Sequence, residues 1–130
     1  MKQISINILG HIYNVLLIKE HEIPEDLKVK HETMNGICEN FSQELIIFQD
    51  EPKPENYRRL DLLERKVARH ELLHAYLHKS GISQLISKAT EEAIVDMLAI
   101  NFDKIVYNVE LIDKLFKEKE VKNETTYDKR

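Results

Sequence analysis

Apolar and polar positions alternate in the first fifty residues in a way that predicts β-strands. Isoleucines alternate with polar residues over 4–8, a second run extends over 12–18, and Gly10 lies between the two. This pattern is typical of a β-hairpin. Segments 36–41 and 44–48 predict two more strands. The last segment is continuously apolar, which indicates a strand that is covered on both faces or has a face that awaits a partner.

The periodicity becomes helical in the second half of the chain. Residues 56–79 contain no Gly or Pro, and Gly81 is expected to end this helix. Large apolar residues recur in it at helical spacing: Leu60, Leu63, Val67, Leu73 and Leu77. A second apolar face over 93–105 predicts another helix, and 109–115 predicts a short third one.

The order of the elements predicts one α+β domain, because the strands precede the helices and no linker separates them. We expect a small sheet of antiparallel type with three or four strands, followed by two principal helices. The domain is expected to span 1–116. Residues 117–130 are nearly all polar and are predicted to form a flexible tail. Residues 21–30 are expected to be a loop with one helical turn at 25–28.

Charge and composition exclude several kinds of function. The formal net charge is −4, so no broad basic surface favours direct nucleic-acid binding. No apolar run approaches the roughly 18 residues that cross a membrane, and polar residues interrupt the N-terminus where a signal peptide would be apolar. We therefore expect a cytoplasmic protein. Cys38 is the single cysteine, which excludes an internal disulfide or thiolate zinc site and predicts a buried structural thiol.

The long predicted helix carries the motif HExxH at residues 70–74. His70 and His74 are at positions i and i+4, so both imidazoles can reach one metal ion. Glu71 is turned by about 100° from His70, which suits it to hold a water beside the metal without being a ligand. HExxH on a helix is typical of zinc metalloproteases. The alternative is a surface helix with two chance histidines and a glutamate in a salt bridge.

A catalytic zinc needs a third protein ligand, and the next predicted helix offers Glu91, Glu92 and Asp96. Glu92 and Asp96 share one helix face, whereas Glu91 is turned aside by about 100°. All three remain candidates from the residues alone. The alternative interpretation is an acidic first turn that the helix dipole favours.

The HExxH motif followed by the acidic segment EAIVD at 92–96 resembles the gluzincin branch of zinc metallopeptidases. The resemblance implies that Glu92 is the third ligand and that Asp96 orients His70. The small size and the stretch HELLHAYLH at 70–78 are similar to the ImmA/IrrE-type metallopeptidases, which are compact bacterial and phage proteins associated with repressor cleavage. Many members have HELGH, and Leu73 replaces that glycine here. The resemblance covers residues 70–96.

This resemblance implies a minimal zincin-like domain that uses Zn²⁺ to hydrolyse a peptide bond in a particular cytoplasmic protein, such as a transcriptional repressor. Glu71 would be the catalytic base. The alternative is a non-catalytic zincin-like module that binds and antagonises a regulatory protein. In related folds the substrate lies along an edge strand, and 44–48 is the predicted edge. Candidates by type for oxyanion stabilisation are Tyr57, Tyr76, Tyr107, His31 and Arg58.

Overall fold

The computed structural model describes the backbone of residues 1–128 and the side chains of residues 1–118. Contacts divide the chain into two units, Met1–Ile100 and Asn101–Arg130. The first unit contains the sheet, two complete helices and the start of a third. In chain order the elements are β1 (Lys2–Ile8), β2 (His11–Lys19), α1 (Glu25–Thr33), β3 (Gly36–Glu39), β4 (Glu44–Gln49), α2 (Leu60–Lys79) and α3 (Lys88–Asp128).

The four strands form one mixed sheet in the order β1-β2-β4-β3. The hairpin β1–β2 and the pair β3–β4 are antiparallel, whereas β2 and β4 are parallel. The α+β class is confirmed, but the prediction of an antiparallel-type sheet is wrong for the central pair. The reason is that α1 and β3 are inserted between β2 and β4, so the chain reaches the far edge of the sheet first and then returns beside β2.

Strand β4 lies inside the sheet, so the prediction that 44–48 forms an edge is wrong. Its four apolar residues are all at most 4% exposed. Leu45 and Ile47 pack in a core with Tyr13 and Ala75, while Ile46 and Phe48 pack on the opposite face. A strand that is apolar on both faces is most stable where both faces are covered by other parts of the protein, as they are for β4. The edges are therefore β1 and β3.

The short helix α1 covers one face of the sheet and replaces most of the loop that was predicted for 21–30. It extends over Glu25–Thr33 rather than one turn. Leu27 packs against the core that contains Ile18 and Phe48. The predicted turn at 25–28 lies within this helix, but its full length was not predicted because the sequence is mostly charged and has a weak apolar periodicity. Tertiary packing of few side chains therefore holds the helix in place.

Helix α2 covers the other face and ends as predicted. Val67, Leu72 and Ala75 pack against the core beneath the sheet. The helix ends at Lys79, and Gly81 has a φ of 84°. That left-handed conformation costs a glycine little, which makes it a common residue just beyond a helix end.

Helix α3 is continuous, so the separate helix predicted over 109–115 is wrong. Ser87 caps its N-terminus, because its Oγ accepts a hydrogen bond from the backbone N–H of Thr90 at 3.1 Å. Helical backbone continues to Asp128. The side chains of 119–130 lie outside the described residues, and the flexible tail over 117–130 stays a prediction. Among the residues that the structure describes, no helix is long and apolar enough to cross a membrane.

Candidate metal centre

The two histidines of the HExxH motif face each other in the second half of α2. His70 Nε2 lies 3.1 Å from His74 Nε2. The ring centroids are 4.8 Å apart and the rings meet edge to face. One helical turn separates the two residues, which explains why both rings lie on the same side of the helix.

Glu92 at the start of α3 completes a group of three donor residues. Its Oε2 lies 3.3 Å from His70 Nε2 and its Oε1 lies 3.0 Å from His74 Nε2. The Glu92 side chain is 54% exposed, so solvent reaches the space between these atoms. The structure thus brings together the three residues that were predicted to be ligands.

The opposite nitrogen of each imidazole has its own carboxylate partner. His70 Nδ1 lies 3.1 Å from Asp96 Oδ1, which places Asp96 beside His70 as the resemblance implied. His74 Nδ1 lies 2.5 Å from Glu91 Oε2. The Glu91 contact was missed in the sequence. The number of acidic residues could have indicated it. Ligating histidines commonly donate a hydrogen bond to a carboxylate, and the acidic helix offers three carboxylates, which is one ligand and one partner for each histidine.

Glu91 stays ionised beside His74. Burial raises the pKa of this carboxyl, but the Ser83 hydroxyl and the His74 ring outweigh it and leave the pKa below its usual range. Among the described residues Ser83 Oγ is buried without a hydrogen-bond partner, whereas His74 Nδ1 contacts Glu91 Oε2 directly. An ionised Glu91 is suited to accept the Nδ1 proton of His74.

These contacts provide a test of whether the residues fit a zinc ion. If both Nδ1 atoms donate to carboxylates, both Nε2 atoms carry lone pairs toward the Glu92 carboxylate. The two Nε2 atoms and the two Glu92 oxygens make contacts of 3.0–3.3 Å, and four acceptors at these distances repel one another unless positive charge lies among them. Ligand atoms on a tetrahedral zinc with bonds of about 2.0–2.1 Å are roughly 3.3 Å apart. The donor set therefore fits zinc.

The three candidates for the third ligand contact different nitrogens of the two imidazoles. Two metal-binding groups are geometrically possible, one of His70, Glu71 and His74 and one of His70, Glu92 and Asp96, each with donor atoms within 4.8 Å. Glu92 faces both Nε2 atoms, whereas Asp96 and Glu91 face Nδ1 atoms. Glu92 thus faces both Nε2 atoms at 3.0 and 3.3 Å, and among the described residues Glu71 is the other carboxylate with an oxygen within 4.8 Å of nitrogens of both histidines.

Glu71 lies on the sheet-facing side of α2 and is only 8% exposed. Burial raises the pKa of its carboxyl to about 7; His74 opposes this shift and the Glu92 carboxylate adds to it. The group thus lies beside the two histidines with a pKa close to neutral pH. A carboxyl of that kind can both accept and return a proton.

A cleft of about 820 Å³ connects the candidate metal centre with the edge strand β3. Residues 36–38 line one side, and apolar residues of the first half of α2 line the other: Leu60, Leu63 and Val67. His70, Glu71, His74 and Glu92 lie in the same cleft. Its volume is in the range of ligand sites, so the centre opens onto a space large enough for a ligand.

The predicted oxyanion donors do not line this cleft among the residues that the structure describes. His31 bonds to Asp50 at 3.0 Å, and Arg58 donates a hydrogen bond to the Tyr57 hydroxyl. The cations that line the cleft are Lys66 and Lys88. Sequence reasoning missed both, since lysines in charged helix segments carry no distinguishing pattern.

Cys38 lies in the cleft, and we expect its thiol to be unreactive in the metal-free protein. Burial is the largest cause that raises its pKa to about 12, and the Glu71, Glu39 and Glu91 carboxylates add to it. Because alkylation requires the thiolate, iodoacetamide at pH 8 should react on the order of 10³-fold more slowly than with the unfolded chain. Mass spectrometry of both states measures the rates, and equal rates would contradict this expectation.

The chain was compared with protein-family models, with curated proteins and with solved structures, and no match was found. Three features of the chain bear on its function: the three donors His70, His74 and Glu92, the buried Glu71, and the cleft beside β3.

Proposed function

We propose that this protein is a zinc-dependent endopeptidase in which His70, His74 and Glu92 hold Zn²⁺ and Glu71 is the catalytic base. The observation that carries the proposal is the convergence of both Nε2 atoms and the Glu92 carboxylate at 3.0–3.3 Å. Two histidines and one glutamate leave a coordination position free, which is the arrangement of hydrolytic rather than structural zinc sites.

The zinc ion and Glu71 would have different roles in peptide hydrolysis. Zinc supplies Lewis acidity, which polarises the scissile carbonyl and makes water a better nucleophile near neutral pH. The Glu71 carboxylate accepts the proton of the attacking water and delivers it to the amine that leaves. The position of Glu71 beside both histidines supports this double role, because a general base must lie within reach of the proton that it takes.

The substrate peptide would add to the sheet along β3. The backbone N–H of Phe48 donates to Asn35 O at 3.0 Å, and hydrogen-bonded pairs alternate along an antiparallel ladder. In the register of β3 with β4, the backbone groups of Gly36 and Cys38 then face away from β4, toward the open edge. Main-chain hydrogen bonds to such an edge hold extended peptides in many complexes.

The resemblance to ImmA/IrrE-type peptidases makes a transcriptional repressor the first target class to test. An extended segment of the target is required, because only an extended chain can add to β3.

Asp96 and Glu91 are expected to strengthen zinc binding by holding the two imidazoles. We predict that Asp96→Asn and Glu91→Gln each lower zinc affinity by about 10- to 100-fold, as loss of such partners does in other zinc sites. Competition with a chromophoric chelator measures the affinity. Asp61→Asn is the matched control, because Asp61 pairs with Arg65 on the surface of α2. Unchanged affinity in both site variants would show that these carboxylates do not support the ligands.

Peptidase activity itself is tested by mass spectrometry of new N-termini in a peptide library that includes repressor sequences. Zinc-loaded wild type should generate a defined set of termini, a chelator should stop this, and added zinc should restore it. Glu71→Gln should generate none. If wild type generates no more termini than Glu71→Gln, the peptidase proposal fails and the non-catalytic binding module becomes the better account.

A further inference from the structure

Gly36, the first residue of β3, lies unusually close to helix α2. A Cβ atom built on it would be 2.6 Å from Val67 Cγ1, 3.1 Å from Glu71 Cγ and 3.2 Å from Glu71 Oε2. By contrast, a Cβ at Gly10 or Gly81 would meet nothing within 4 Å, and both of those glycines have positive φ. Gly36 thus allows β3 and α2 to approach each other closely, whereas Gly10 and Gly81 allow the backbone to adopt a positive φ.

We infer that Gly36 is a positioning residue that sets the place of the Glu71 carboxylate, an inference that rests on the proposed peptidase function. The nearest atoms to the missing Cβ belong to Val67 and Glu71, and none belongs to the three zinc-binding residues. A methyl group at this position must therefore push β3 away from α2 or turn the side chains of Val67 and Glu71. The first change alters the distance between β3 and the Glu71 carboxylate, and the second moves the carboxylate itself. Neither change acts directly on the donors His70, His74 and Glu92.

Gly36 also lies between Glu71 and the edge of β3 where the peptide would bind. Its backbone groups face the open edge of the sheet, and its missing side chain leaves room for Glu71 on the helix side. One residue therefore fixes the spacing between the added peptide strand and the carboxylate that would deprotonate water. Misplacement of a reacting group by about 1 Å can cost on the order of 10²-fold in rate.

Gly36→Ala tests this inference in the full-length zinc-loaded protein, with peptides that wild type cleaves. We expect kcat to fall by about 10²-fold, while KM and zinc affinity change by less than about threefold. Alanine keeps the backbone groups that would hold the peptide, so a fall in kcat alone distinguishes base positioning from loss of substrate binding. A lower kcat with zinc lost, or a change confined to KM, would overturn the inference.

Trimming the partner side chain provides the rescue. Val67→Ala removes the 2.6 Å contact, so the double variant Gly36→Ala/Val67→Ala should recover at least about tenfold of the lost kcat. Val67→Ala alone provides the reference rate for the double variant, because Val67 also lines the cleft. The double variant also keeps the test valid if Gly36→Ala alone folds poorly, and a double variant no faster than the single one would overturn the inference.

Two further results separate this inference from the proposed function. A wild type that cleaves no peptide overturns the proposed function, whereas a wild type that Gly36→Ala leaves fully active overturns only the role of Gly36. Thermal unfolding of the metal-free protein tests the contact without any activity. Gly36→Ala should lower the melting temperature less in a Glu71→Ala background than in wild type, and equal shifts would show that Gly36 does not press on Glu71.

Discussion

Glu92→Ala is expected to weaken zinc binding more than any other single change on α3. The variant leaves His70 Nε2 and His74 Nε2 facing each other at 3.1 Å without the carboxylate that now bridges them at 3.0 and 3.3 Å. We expect a loss of more than about 100-fold, beyond the range that loss of a partner carboxylate produces. Chelator competition at fixed pH measures the affinity, and elemental analysis after dialysis measures retention of zinc.

Comparison of Glu92→Ala with Asp96→Asn and Glu91→Gln shows which of the three carboxylates is the third ligand. All three side chains lie in the first turns of α3 and all three contact the HExxH histidines. If Glu92 is the ligand, its loss must be the most severe of the three. A variant of Asp96 or Glu91 that lost zinc while Glu92→Ala retained it would reassign the third ligand.

Glu71→Gln is expected to abolish peptide hydrolysis while zinc stays bound. Glutamine has nearly the same shape but cannot take a proton from water, and general base catalysis contributes about 10²- to 10⁴-fold. A Glu71 oxygen lies within 4.8 Å of nitrogens of both histidines, and glutamine keeps an oxygen at that position, so zinc content should be unchanged. Single-turnover rates on a cleaved peptide, together with zinc analysis of the same preparation, measure both quantities.

Glu64→Gln is the matched control for Glu71→Gln, because Glu64 lies in α2 and lines the same cleft. Its carboxylate accepts a hydrogen bond from Gln49 at 3.1 Å, which a glutamine oxygen can also accept. We expect nearly wild-type rates in this variant. If Glu71→Gln instead retains the effect of the protein on its target, the effect depends on binding and not on cleavage.

Local sequence patterns predicted the elements whose structure depends on near neighbours. The end of α2 at Gly81 follows from one residue that tolerates positive φ, and the pairing of His70 with His74 follows from helical spacing alone. The hairpin β1–β2 follows from alternation around Gly10. In each case the deciding interactions lie within a few residues.

Sheet topology could not be predicted in the same way, because it depends on contacts between distant segments. The apolar run of β4 was compatible with an interior strand or an edge strand, and only the return of the chain after α1 and β3 decides between them. The place of α1 likewise depends on Leu27 reaching a core built by other strands. These are tertiary effects that override weak local propensity.

In the candidate site, too, local sequence predicts some features and tertiary packing determines the others. The sequence supplied both histidines and Glu71, but the choice among Glu91, Glu92 and Asp96 depends on how α3 is rotated against α2. The contact of Glu91 with His74 and the close approach of Gly36 to Glu71 are set by that packing. The resemblance to gluzincins provided the Glu92 and Asp96 assignments because a family pattern carries tertiary information that spacing lacks.

The most direct test of the central claim is the zinc content of the purified wild-type protein, measured by elemental analysis after dialysis against metal-free buffer. The arrangement of His70, His74 and Glu92 predicts about one zinc ion per chain. Protein that holds no stoichiometric metal, even after zinc has been supplied and the excess removed, would contradict the claim that this cluster is a metal centre.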